Sequence, residues 1–199
     1  MKKTLLPLIC ILSICICNAQ MTEAEVSVHR AKFKEHLLDT ASGMLNASEI
    51  EELNYLSYFP FDSNYQVAVT FKKSKGKKFE MPTSTERKPV YRRYGYITFI
   101  INGDTCILSA YKSLGLKEKE YKNYLFVPFR DATSRNETYG GGRFLDFSKP
   151  KKGGNIFLDF NLAYNPYCAY SHRYSCPIPP EENTLSIPIL AGERTPVAH

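Results

Sequence analysis

Val90-Tyr91-Arg92-Arg93-Tyr94-Gly95-Tyr96-Ile97-Thr98-Phe99-Ile100-Ile101-Asn102-Gly103-Asp104-Thr105-Cys106-Ile107-Leu108-Ser109-Ala110-Tyr111 is the stretch that decides the fold. β-Branched and aromatic residues fill both arms. The Asn-Gly between them suits the two positive φ angles of a tight turn. The stretch reads as a long antiparallel hairpin, 90–101 against 105–111. On the return arm Cys106, Leu108 and Ala110 share one face by the period of two, so Cys106 reads as a small core residue rather than a reactive thiol.

Upstream of the hairpin, Tyr65 to Phe71 alternates and predicts a strand. Lys72-Lys73-Ser74-Lys75-Gly76-Lys77-Lys78 then reads as a solvated loop between strands, although such a run has the chemistry to touch phosphates or an anionic surface. A short segment near Phe79 follows. Nearer the N-terminus the period becomes helical. Thr22 and Glu25 have capping-box spacing, and Val26, His29, Phe33 and Leu37 form one face of a helix over 22–39. His29 and His36 are seven apart, which is poor spacing for a helical zinc pair, so both take packing or surface roles. Ser48 and Glu51 form a second capping box for a short helix to about Leu53. Tyr58 to Asp62 is an aromatic turn that plugs the end of the core.

Downstream, Ser113 to Tyr121 is a polar surface turn, and Tyr124 to Phe129 a strand whose end Pro128 weakens. Phe144-Leu145-Asp146-Phe147 and Phe157-Leu158-Asp159-Phe160 carry the same four letters around a turn-rich loop, which predicts a second hairpin. Thr184 to Ile189 is the last predicted strand. Short strands after a helical segment predict a mainly β fold, an antiparallel β-barrel or sandwich with an N-terminal helical segment. There is no βαβ alternation, and Gly140-Gly141-Gly142 lacks the spacing and the Lys-Ser/Thr of a phosphate-binding loop.

The first residues read as a secretory signal peptide over 1–19. Lys2 and Lys3 precede an apolar run from Leu5 to Cys17, and Cys17-Asn18-Ala19 places small residues before cleavage at Gln20. The run is too short for a membrane span, so no stable membrane insertion is expected after cleavage. Isoleucine before Cys15 and Cys17 speaks against lipid attachment. Residues 20–62 are then a helical segment packed on a β-rich domain of 63–199. Losing two lysines lowers the formal charge from +6 to +4, mildly basic. The expected location is periplasmic or secreted, the expected state a monomer, and the compartment excludes nucleic acid as a partner. Cys106, Cys168 and Cys176 remain, an odd number that suggests one pair and one free thiol.

Charged residues, amides, glycines and aromatics concentrate in the last third, within 125–193. Phe126-Val127-Pro128-Phe129-Arg130-Asp131-Ala132-Thr133, Glu137-Thr138-Tyr139-Gly140-Gly141-Gly142-Arg143, Asp159-Phe160-Asn161, Ala163-Tyr164-Asn165-Pro166-Tyr167-Cys168-Ala169-Tyr170, Cys176-Pro177-Ile178-Pro179-Pro180-Glu181-Glu182-Asn183 and Ala191-Gly192-Glu193 together resemble the domain-of-unknown-function family numbered 1684. Tyr94-Gly95 fits it too, the first helices only loosely. The resemblance implies a bacterial or archaeal protein of a family with no established activity, and it carries no catalytic residue to this chain.

The residues themselves must therefore supply the functional reading. Asp131, Glu137 and Asp159 have the chemistry of acid–base carboxylates, and Arg130 and Arg143 that of a bidentate anion clamp. With Tyr139, Asn161 and Asn165 they predict a ligand-binding pocket built by the 128–143 and 159–183 loops, for a small polar or anionic ligand. The competing reading makes the same charges a buried ion-pair network that holds irregular loops together. Cys168 and Cys176 are expected to form a disulfide, which adds about 2–3 kcal/mol by the chain-entropy model. Cys168 near His172 also has the makings of a nucleophile pair. Three ligands at this spacing do not make a zinc finger. No metal, no cofactor and no catalytic residue is assigned. Two further alternatives stand: a hydrolase using the carboxylates or Cys168, and a structural or interaction protein of the cell envelope.

Overall fold

The computed structural model describes residues 20–53, 56–151 and 155–196. Two helices precede the strands: α1 (Glu23–Leu38) and α2 (Ala47–Glu52). The strands are β1 (Gln66–Ala68), β2 (Thr70–Lys73), β3 (Lys78–Glu80), β4 (Val90–Ile101), β5 (Asp104–Ser113), β6 (Tyr124–Phe129), β7 (Arg143–Ser148) and β8 (Phe157–Asp159). All strand pairs among the described residues are antiparallel. The larger sheet runs β2-β4-β5-β6-β7, with β3 also on β4, and β1 pairs with β8. The fold is mainly β with few helices. The path is open, and no pairing among the described residues closes it into a barrel. The predicted signal peptide lies outside the described residues.

The hairpin forms as its composition demands. Ile101 pairs with Asp104, and Asn102 and Gly103 take φ of 51° and 88°. Ile97, Phe99, Ile101, Cys106, Leu108 and Ala110 all face the main core. The register shifts between Arg93 and Gly95, a bulge at Tyr94.

Several predicted elements form differently. The strand over 65–71 is split at Val69, whose N–H donates to the Ile156 carbonyl at 2.9 Å. The segment thus serves two sheets, β1 with β8 and β2 with β4. The lysine run is not a plain loop: Lys72, Lys73 and Lys78 lie in edge strands along β4, where lysine discourages further pairing. The two Phe-Leu-Asp-Phe segments do not pair with each other. β7 takes the free edge of β6, and β8 crosses to β1. Thr184 to Ile189 is no strand, only a bridge from Thr184 to Arg130. Pro188 lacks the N–H a ladder needs. The second helix is capped by Asn46 and Glu49, two residues earlier than expected. Among the described residues no helix is long and apolar enough to cross a membrane.

The core lies on one face of the larger sheet under the 160–193 segment. Phe160, on a short turn after β8, meets Phe99 and Phe129 with ring centres 5.4 Å away in each case. α1 docks beside that turn. A second cluster joins Tyr111, Phe126 and Phe144 with Met81 and Cys176, and a third joins Leu37 of α1 with Leu45 and Tyr170.

Candidate functional site

The predicted site residues divide between a buried frame and the walls of a cavity. Arg143 opens β7, and only 1% of it is exposed. Its position depends on Gly142, at φ 90°, where an added Cβ would stand 2.6 Å from the Phe129 carbonyl oxygen. The Arg143 guanidinium pairs with Asp131 at 2.8 Å and donates to the carbonyls of Ala191, Glu193 (3.2 Å) and Ile189 (2.9 Å). Asp131, 5% exposed, also accepts the Thr133 N–H at 2.7 Å. Burial pulls the Arg143 pKa down while Asp131 pushes it up. So enclosed, Arg143 gives its guanidinium to the chain's own carboxylate and carbonyls, the arrangement of a buried ion-pair network. The physical reason is the 189–193 segment, which among the described residues joins no strand ladder beyond one bridge from Glu193 to Tyr58 and uses Arg143 to satisfy its carbonyls.

The other predicted residues extend this frame. Arg130 donates to the Pro179 carbonyl at 3.3 Å. Asn165 is fully buried; its N–H donates to the Glu193 carboxylate at 2.8 Å, and its amide donates to the Arg194 carbonyl at 2.8 Å. Glu193 is buried against the Tyr170 hydroxyl, and burial lifts its pKa to about 7 against the opposing pull of Tyr170, Asn165 and Arg143. Asp159 accepts from the Gln66 amide at 2.8 Å and from Asn161. Asn161 exchanges two hydrogen bonds with the Asp62 backbone, at 3.1 and 2.9 Å. Glu137 is exposed, and its backbone carbonyl accepts the Thr195 N–H at 3.0 Å.

Where this frame meets α1 the surface opens into a cavity of about 450 Å³. His29, Arg30, Lys32 and Phe33 form one wall; Tyr58, Asp146, Asn161, Leu162, Ala163, Tyr164 and Tyr167 form the rest. Arg30 is the centre of its polar side. It donates to the Phe59 carbonyl at 3.2 Å and the Asn161 carbonyl at 3.0 Å, and its guanidinium carbon lies 4.6 Å from the centre of the Tyr58 ring. Burial lowers its pKa, partly offset by Tyr58, Asp159 and Glu193. None of the ion pairs among the described residues involves it. Asp146 accepts from the Tyr124 and Tyr164 hydroxyls at 2.8 and 2.9 Å on one oxygen. Arg30 carries no motif in the sequence. Its signal was spacing: Val26, Arg30, Phe33 and Leu37 form the inward stripe, one position round from the expected face with His29, which is exposed.

Cys168 and Cys176 are both free thiols, not the expected disulfide, but they touch. The Cys168 N–H donates to the Cys176 sulfur at 3.3 Å. The Cys176 thiol lowers the Cys168 pKa to about 6 against burial, while its own pKa rises. The Tyr139 hydroxyl lies 3.8 Å from the Cys168 sulfur, and burial, with the Cys168 charge, pushes its pKa up to about 12.

The model of a family described as "Protein of unknown function (DUF1684)" matches residues 51–194, a span that holds the frame and most of the cavity but not α1. Among solved structures, the chain is similar to the solution NMR structure of the uncharacterized protein from gene locus rrnAC0354 of Haloarcula marismortui. Identity is 32% over 89% of this chain and 96% of that chain, with a TM-score of 0.67. No curated protein matches.

Proposed function

We propose that this chain, which belongs to the DUF1684 family of proteins of unknown function, binds a small anionic ligand with an apolar or aromatic body in the cavity beside α1. One observation carries the reading. Among the described residues Arg30 is a half-buried guanidinium without a carboxylate ion pair, two of its donors tied to carbonyls and its Nε without an acceptor. A ligand carboxylate or phosphate supplies the missing partner in bidentate fashion. Lys32 adds positive charge at the mouth, and Phe33, Tyr58, Tyr164 and Tyr167 offer ring faces to the ligand body. The volume suits a ligand of drug-like size. The role of Arg143, Asp131, Glu193 and Asn165 is to hold the floor.

The chain is read as acting outside the cytoplasm as a monomer, its residues 1–19 removed on export. There Cys168 and Cys176 close to a disulfide by exchange with a disulfide oxidant: the Cys168 thiolate attacks, Cys176 resolves the mixed disulfide, and the oxidant leaves as dithiol. The cavity is tested by titrating the protein with benzoate, indole-3-carboxylate and octanoate, followed by NMR. At least one should bind saturably. Arg30→Met should weaken it about tenfold or more in a protein that still unfolds in one cooperative transition, at a midpoint lowered by loss of the Phe59 and Asn161 hydrogen bonds. Binding that survives Arg30→Met, or no binding by any of the three, sinks the reading.

A further inference from the structure

A second charged feature lies away from Arg30, where the lysine run and the end of β7 come together. Gly95 has no side chain, and an added Cβ would lie 2.4 Å from the Phe71 ring. That space lets Phe71 lie across β4, where it contacts Tyr94 and Phe147 with ring centres 6.2 and 6.0 Å away. The Tyr94 ring, at the bulge, is half-buried against the main core. Two ammonium groups share that ring: Lys73 from β2 at 5.5 Å and Lys149 from just after β7 at 5.2 Å. The Lys149 backbone N–H donates to the Asn123 carbonyl at 2.8 Å, and its ammonium group donates to the Lys122 carbonyl. Lys112, on β5, completes the group. Burial lowers the Lys149 pKa, and the charges of Lys112, Lys122 and Lys73 lower it further.

Like charges on a protein surface ordinarily spread apart or take carboxylate partners. Here neither happens. The ion pairs among the described residues are Arg93 with Glu182, Arg143 with Asp131 and Arg173 with Glu49, and none includes these lysines. Lys112 and Lys122 also line a depression of about 400 Å³ whose single carboxylate is Glu118, alongside Lys117 and Lys119. Edge protection explains a lysine on β2, but not a partly buried lysine beyond β7 turned onto the same ring. The four come from four separate segments of chain.

We propose that Lys73 and Lys149, which share the Tyr94 ring, bind with the neighbouring Lys112 and Lys122 a small oxyanion with two or more negative charges, such as a pyrophosphate or a phosphate monoester. Lysines are compact point charges on flexible stems and suit phosphate oxygens of varied geometry. The bound anion relieves the repulsion among the ammonium groups, so its binding falls steeply with salt. The site is independent of the α1 cavity and its Arg30.

The test is calorimetric titration of the folded protein with inorganic pyrophosphate at low ionic strength. Saturable binding is expected, with the Lys149 and Lys73 ammonium resonances shifting in NMR. Lys149→Gln and Lys73→Gln should each weaken it about tenfold, equal to about 1.4 kcal/mol. Lys34→Gln, an equal charge change on α1, should alter it less than about twofold, below about 0.4 kcal/mol. No saturation overturns the proposal. So does an equal loss in Lys34→Gln, which would make the effect diffuse charge. Tighter binding of a single-stranded oligonucleotide at matched phosphate concentration also overturns it, in favour of a nucleic-acid surface.

Discussion

Removing the Arg143 side chain leaves Asp131 charged, buried and without its partner. Arg143→Ala should therefore cost about 3–5 kcal/mol in urea unfolding. Arg143→Met with Asp131→Leu should cost less than Arg143→Ala alone, because no charge is left behind. Equal losses would mean that the carbonyls of 189–193, not the ion pair, dominate. Glu193 makes the second residue-scale prediction. Its folded pKa of about 7 stands above the ordinary 4.5, so the folded protein holds more protons than the unfolded chain between those values. Stability must then fall as pH rises from about 4.5 to about 7, by on the order of 3 kcal/mol from this group. Glu193→Gln should flatten that slope in unfolding midpoints measured from pH 5 to 8; an unchanged slope assigns it to another group. Arg143 and Asp131 were legible as candidates because both stand in a dense charged motif. Clamp and strut look alike in sequence, since exposure alone separates them. Arg30 was not legible, because one arginine in a polar helix carries no motif.

The strands behave as their local chemistry requires wherever the partner is near in sequence. Asn102-Gly103 specifies the turn, and β4 and β5 follow. Gly95 is the element-scale point of contact between β2 and β4: a methyl there meets the Phe71 ring at 2.4 Å and the Lys72 carbonyl oxygen at 2.7 Å. Gly95→Ala should cost about 1–3 kcal/mol by overpacking, and thermal unfolding measures it. A neutral result would mean that β2 shifts freely on the edge of β4. Legibility failed where two elements had equal local claims. Phe144–Phe147 and Phe157–Phe160 read as one hairpin, yet the pairing followed the free edges of β6 and β1. The helix of 22–39 was legible from its capping box and period. Its inward face was one residue off, because an arginine with a hydrogen-bonded head and an apolar stem can occupy a buried stripe.

At the scale of the whole molecule, the likeness to the Haloarcula marismortui protein spans 96% of that chain, so the architecture described here is shared across it. Export and the cysteines are tested together on protein recovered from the periplasm of a host that expresses the full chain. The mature mass should begin at Gln20, and intact mass should rise by about 2 Da on reduction as a Cys168–Cys176 bond opens. An intact residue 1, or a Cys168 that alkylates fastest without prior reduction, counts against export or against the bond respectively.

By itself the sequence determined what neighbours along the chain decide: the turn at Asn102-Gly103, the capping box at Thr22, the alternation that buries Cys106, Leu108 and Ala110, and the family motifs of 125–193. What depends on distant segments meeting was settled in three dimensions. Arg143 is enclosed by a segment about 48 residues away, and Arg30 reaches the Asn161 carbonyl across 131 residues. Turns and periods are set by sterics over a few bonds. Burial, and with it the choice between strut and ligand contact, is set by whatever the rest of the chain lays on top.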